Sequence, residues 1–254
     1  MALDKSMVVA RADLNMALKV RYVKYGLIGM GAFGPIASMG LVISLAVFGA
    51  PTEVIGFISP TVASFLGIMS IIPASLISAN ALVGEREQNT LEPLLCTPLT
   101  DNELLTGKVL SSFIPSMALL IGGLLVTAVG SNVVLLVMGF PPILIPDLPG
   151  LVMLLTAAPA MILAVISTMI LLSGRVKRVY EAYQTSGAVV LVFIVPMILP
   201  MTAFSESGVG DPAALLALSW LSTLITLLVS AVLMTVTWFL ALKRFNRDTM
   251  VSSV

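Results

Sequence analysis

The sequence of 254 residues has no histidine, a single cysteine and only 10% charged residues. Without histidine it lacks the commonest transition-metal ligand and physiological general base. One cysteine, Cys96, permits no intrachain disulfide, so cysteine usage leaves the redox compartment open. Formal net charge is zero and there is no basic tract, so no nucleic-acid partner is expected. A phosphate-cradling G-x-x-x-x-G-K-[ST] loop is also missing: Gly107-Lys108 is followed by Val109, and position 102 is Asn102 rather than glycine. No Ser-His, Cys-His or clustered-carboxylate arrangement presents itself, and neither an internal repeat nor a low-complexity linker divides the chain. The first residues are polar and helical in pattern, unlike a secretion signal.

What is present is apolar. Hydrophobic residues make up 58% of the chain and the mean hydropathy is +1.09, whereas soluble domains carry about 25% charged residues. A membrane-crossing helix needs about 20 apolar residues, and six windows supply them, at about 26–48, 58–83, 109–138, 150–174, 185–204 and 214–242. The expected fold is therefore an all-α membrane protein of six transmembrane helices in a single domain, residues 1–254. The third and sixth windows exceed what a bilayer requires, which predicts tilt, a break or a short outer segment. Pro35, Pro73, Pro115, Pro159, Pro196 and Pro200 lie inside spans, where neighbouring helices can satisfy the freed carbonyls.

Charge placement gives the orientation. Six spans put both termini, the 84–108 loop and the 175–184 loop on one side, and that side holds all 13 Lys and Arg residues. The other side carries only Glu53, Asp147, Glu206 and Asp211. The basic side is expected to be the cytoplasm, in a plasma or inner membrane. No span has an ionisable residue near its middle, which disfavours a carrier driven by protons or ions.

The longest polar interruption runs from Gly84 to Lys108. It opens with Glu85-Arg86-Glu87, continues through a short apolar piece from Leu91 to Cys96, and is bounded by Pro98. Thr100-Asp101-Asn102-Glu103 reads as a capping box, in which the threonine hydroxyl and the glutamate close each other's free backbone donors. A short helix therefore ends at Pro98 and a new one starts at Asp101. Taken alone, the charged trio is equally a solvated helix end. Residues 3–25 place Leu3, Met7, Ala10, Leu14, Leu18 and Tyr25 at three-to-four spacing. They predict an amphipathic helix lying along the interface, the plain alternative being a solvated lead-in. In the sixth window Ser219, Ser222, Thr223, Thr226, Ser230 and Thr237 fall within about 100° of one helical face. That stripe either lines a mildly polar path or lets helices pack closely, and packing is the commoner use of small hydroxyl residues.

Glu85-Arg86-Glu87, Thr90-Leu91-Glu92, Leu94-Leu95, Thr97-Pro98-Leu99, Glu103-Leu104 and Gly107-Lys108 together resemble the signature of the ATP-binding cassette type-2 permease family. The match covers about 25 residues directly, and the six-span layout with a basic loop at Arg175, Lys177 and Arg178 extends it over the chain. Asn89 stands where the family usually has glycine; asparagine is the residue that best replaces it in a left-handed turn. The resemblance implies an export-type membrane subunit, powered by a separate ATPase that holds ATP and Mg, with no cofactor in this chain. It implies a cytosolic coupling helix between spans two and three, seated in a cleft of the ATPase. Leu91, Leu94, Leu95 and Leu99 would make the apolar contacts, with Glu85, Arg86 and Glu87 as the polar joint and Thr90, Glu92 and Pro98 in the same segment. Residues 1–25 would be the family's connecting helix beside it. A second permease chain, identical or similar, and membrane lipids complete the expected partners. The cargo inferred from Ser, Thr, Met and aliphatic linings is hydrophobic or amphipathic. Two other classes stand beside this reading: a membrane scaffold that recruits an ATPase without transport, and an intramembrane lipid-modifying enzyme.

Overall fold

Long apolar helices set the architecture. The computed structural model describes residues 2–50, 54–55, 58–84, 100–173, 179, 181, 184 and 212–244, and contains no strand among them. Helices α1 (Ala2–Lys19), α2 (Arg21–Val47) and α3 (Ser59–Ala79) lead into a π-helical turn, Asn80–Gly84. Helix α4 (Asp101–Val137) follows; then α5 (Leu148–Val152), a second π turn (Met153–Ala157) and α6 (Ala158–Ser173) form one continuous rod, and α7 (Pro212–Arg244) comes last. Five helical stretches are long and apolar enough to cross a membrane. They correspond to windows one, two, three, four and six of the sequence; the fifth window, 185–204, lies outside the described residues.

The contacts fix the directions. Gly34 of α2 faces Met69 and Leu66 of α3, while Gly26 faces Leu76, so α2 and α3 are antiparallel. Gly31 meets Leu119 and Gly130 meets Met39, so α2 and α4 run the same way. Thr223 of α7 reaches Pro149 at the start of the α5–α6 rod, with which α7 packs in parallel. Helices α3 and α6 form the interior, whereas α2, α4 and α7 present broad apolar faces outward. On α7 the outward ridge is Leu216, Trp220, Leu224, Leu228, Val232, Val236 and Leu240, one every four residues. Large apolar residues outside and small hydroxyl residues inside is the arrangement expected where the solvent is lipid.

Local chemistry ends the helices where they end. Gly49 and Gly139 adopt φ of +72° and +84° just beyond α2 and α4. At both ends the glycine N–H and the next N–H turn back on the final turn: Gly49 to Ala46 O at 3.1 Å and Ala50 to Leu45 O at 3.0 Å, Gly139 to Leu136 O at 3.1 Å and Phe140 to Leu135 O at 2.9 Å. This is a Schellman closure, which needs a left-handed residue and therefore favours glycine. The π turn at Met153–Ala157 sits just ahead of Pro159, where Ala158 N–H bonds Met153 O, five residues back. Proline has no N–H to give and its ring crowds the carbonyl four residues before it, and one extra residue in the turn relieves both problems.

One boundary differs from the sequence reading: the N-terminal helix stops at Lys19 and α2 already begins at Arg21, so Tyr25 belongs to the first span. The helix read as starting at Asp101 runs through the third window without a break. It is one 37-residue helix, about 55 Å long at 1.5 Å per residue, against a hydrocarbon core of about 30 Å. Its first turns, which carry Asp101, Glu103 and Lys108, therefore project beyond the apolar layer.

The start of α4 forms as read. Thr100 Oγ1 accepts from Glu103 N–H at 3.3 Å, and Glu103 Oε2 accepts from Thr100 N–H at 2.9 Å. Thr100→Ala should cost about 1 kcal/mol locally, seen as faster amide exchange at Asn102–Leu104 with the rest of α4 unchanged.

Candidate functional site

The end of the bundle where α1 lies, called basal here, carries the densest polar contacts between helices. Helix α1 packs along the first turns of α4; its residues Ser6, Val9, Ala10, Asp13 and Ala17 are buried. These residues recur at three and four, so they share one face. Of the apolar arc read from the sequence, Ala10 lies on this face and half-buried Leu14 packs beside Ala17, whereas Met7 and Leu18 are exposed on its flank. Contact is close because α4 has no side chain at Gly107. A Cβ there would sit 2.8 Å from Val9 Cβ and 2.9 Å from the Ser6 carbonyl oxygen. The Ser6 hydroxyl lies 3.0 Å from Glu103 O and 2.8 Å from the Thr106 hydroxyl.

That approach brings Asp13 to Lys108. Lys108 Nζ is 3.6 Å from Asp13 Oδ2, with both side chains at most 4% exposed. The same ammonium donates to the carbonyl oxygen of Ala81, in the π turn that ends α3, at 2.6 Å. Asp13 Oδ2 accepts no hydrogen bond among the described residues. Burial pushes the Asp13 carboxyl above its ordinary value, and Lys108 pulls it part of the way back.

Two further contacts hold the same corner. Tyr22, on the first turn of α2, donates its hydroxyl to Asn80 Oδ1 at 2.8 Å, and Asn80 Nδ2 donates to Leu76 O at 2.7 Å. Beside them Ala17, Val23 and Ile77 form a small apolar plug joined by Leu14, Val20 and Leu27. Four elements thus meet at one joint: α1, the base of α2, the π turn and the base of α4.

This joint brackets the polar segment read from the sequence. Glu85, Arg86, Glu87, Thr90, Leu91, Glu92, Leu94, Leu95, Pro98 and Leu99 lie outside the described residues. The chain enters that segment from Gly84 and leaves it at Thr100, so both flanks sit on anchored helices. Ser219, Ser222, Thr223, Thr226, Ser230 and Thr237 all fall on the buried face of α7. Four of them donate to their own helix: Ser222 to Ser219 O, Thr226 to Ser222 O, Ser230 to Leu227 O and Thr237 to Leu233 O. Thr223 instead crosses to Pro149 O at 3.2 Å. Among the described residues no group of His, Cys, Asp and Glu could hold a metal ion.

Sequence reasoning missed Ser6, Asp13 and Ala81. Asp13 is three residues from Ala10 and four from Ala17, so a small-residue face with one acid on it was the available signal.

The ABC-2 family transporter protein family matches residues 7–234 of this chain. The chain belongs to that family: it is a multi-pass membrane protein, a membrane subunit of an ATP-binding cassette transporter. Members of the family generally work with an ATPase subunit. No curated protein matches the chain.

A buried ion pair adds little net stability over apolar packing, whereas removing one partner leaves an uncompensated charge. Lys108→Met alone should therefore destabilise the chain by about 3–5 kcal/mol. The double substitution Asp13→Asn with Lys108→Met should recover most of that loss, read as thermal stability in detergent.

Proposed function

We propose that this chain is the permease half of an exporter, and that its 84–108 segment is the lever by which a separate cytosolic ATPase moves the spans. The observation that carries the reading is the basal joint. A segment that transmits force must be attached stiffly at both ends. Here one flank follows a π turn tied by Lys108 and Tyr22, and the other opens on a capped helix against which α1 is packed. Family membership supplies the reason to expect an ATPase on the other side of that lever.

In this reading the bundle has six spans, the fifth formed by 185–204, and the basal end faces the cytoplasm of a plasma or inner membrane. Both termini lie on that side. Two permease chains, identical or similar, work with two ATPase subunits that bind ATP and Mg; this chain performs no chemistry itself. A path for a hydrophobic or amphipathic cargo opens alternately between the halves. Helix α1 lies along the interface with Met7 and Leu18 toward lipid and Lys5 and Lys19 toward water; all four are exposed, on different sides of the helix. The hydroxyl stripe of α7 serves packing within one chain rather than the path, since its side chains are buried and bonded there.

Leu94 and Leu95 are the apolar contacts most exposed to test. Replacing both with aspartate should abolish co-purification of the ATPase while leaving the amount of membrane-inserted chain unchanged. Retention of the ATPase at the unsubstituted level would overturn the docking assignment. ATP turnover by a reconstituted complex with no cargo movement, across a range of amphipathic cargoes, would favour a recruiting scaffold instead.

A further inference from the structure

We infer that Asp13 and Lys108 are positioning residues, which fix the direction in which the chain leaves α3 toward the docking segment. The link is the Ala81 carbonyl. Lys108 stands on α4, after the segment, and Ala81 stands on the π turn before it, yet a 2.6 Å bond joins them directly. That bond closes the segment into a loop whose two flanks cannot turn independently. Asp13 holds the same ammonium at 3.6 Å. It can do so only because Gly107 lets the α1 backbone approach, as a Cβ there would meet Val9 and Ser6.

Stability alone is a poor account of this pair. Two charges this deeply buried gain little over an apolar substitute, and their best-attested use is to fix one register among several. A π turn is a place where several registers are open: one residue fewer in the turn rotates everything after it by about 100°. Lys108 holds Ala81, and Tyr22 holds Asn80, so the turn is secured at two successive residues from two different helices.

The consequence for ATPase docking rests on the function proposed above; the positioning itself does not. The test uses the full-length chain in lipid nanodiscs, spin-labelled at native Cys96 and at Met16→Cys, an exposed site on α1. Pulsed electron resonance should give a narrow distance distribution for the unsubstituted chain. It should at least double in width for Asp13→Asn with Lys108→Met, the pair of changes expected to recover most of the thermal stability. Lys108→Arg, which keeps charge and donor, should return the narrow distribution, and Asp13→Asn alone should fall between. A purely structural role predicts that width follows thermal stability, so a narrow distribution in the stable double variant would overturn the inference. Binding of the co-purifying ATPase should weaken at least tenfold in the double variant and stay within twofold in Lys108→Arg. Should the unsubstituted chain bind no ATPase while the widths still differ as stated, the docking reading falls and the positioning role stands.

Discussion

One buried ammonium holds the base of this protein together. Lys108 projects from the second turn of α4 to the carboxylate of Asp13 on α1 and to the Ala81 carbonyl at the end of α3. Each neighbouring feature follows from accommodating it. Gly107 is bare because α1 must come close enough to bring Asp13. Helix α4 begins with a capping box because its first turns stand outside the apolar layer and must hold their own backbone donors. The π turn after α3 supplies, at Ala81, the carbonyl to which Lys108 donates.

Above the joint the bundle obeys a different rule. Between lipid tails no water is available to satisfy the backbone, so helices carry every hydrogen bond internally and breaks are confined to their ends. Hydroxyl residues of α3, α6 and α7 bond to carbonyls one turn back, among them Ser78 to Ala74 O and Ser167 to Leu163 O. This lets them be buried at little cost and lets helices approach closely. Among the described residues, α3 and α6 are largely buried. In the proposed transporter the path forms between two such chains, and whole helices are displaced from the basal joint.

How much of this was legible in the sequence depends on the range of the interaction. Five spans, the Thr100–Glu103 box and the buried stripe on α7 follow from patterns within one helix, which a sequence displays directly. The break at Val20 did not show, because Leu18, Arg21 and Tyr25 continue the same spacing through it. The face by which α1 packs on α4 was not read at all. Hydropathy marks Met7 and Leu18, the side assigned to the interface, whereas a neighbour without a side chain selects small residues, so Ser6 and Ala10 face inward. Lys108 read as one more basic residue marking a side of the membrane; only the tertiary approach at Gly107 makes it a buried partner.

If the segment between α3 and α4 is the cytoplasmic seat of an ATPase, as proposed, the lone thiol Cys96 reports on it without further engineering. Membrane-impermeant maleimide should leave Cys96 untouched in intact cells, modify it in inside-out vesicles stripped of the ATPase, and be blocked when the ATPase is restored. Modification of Cys96 from outside intact cells would contradict the account.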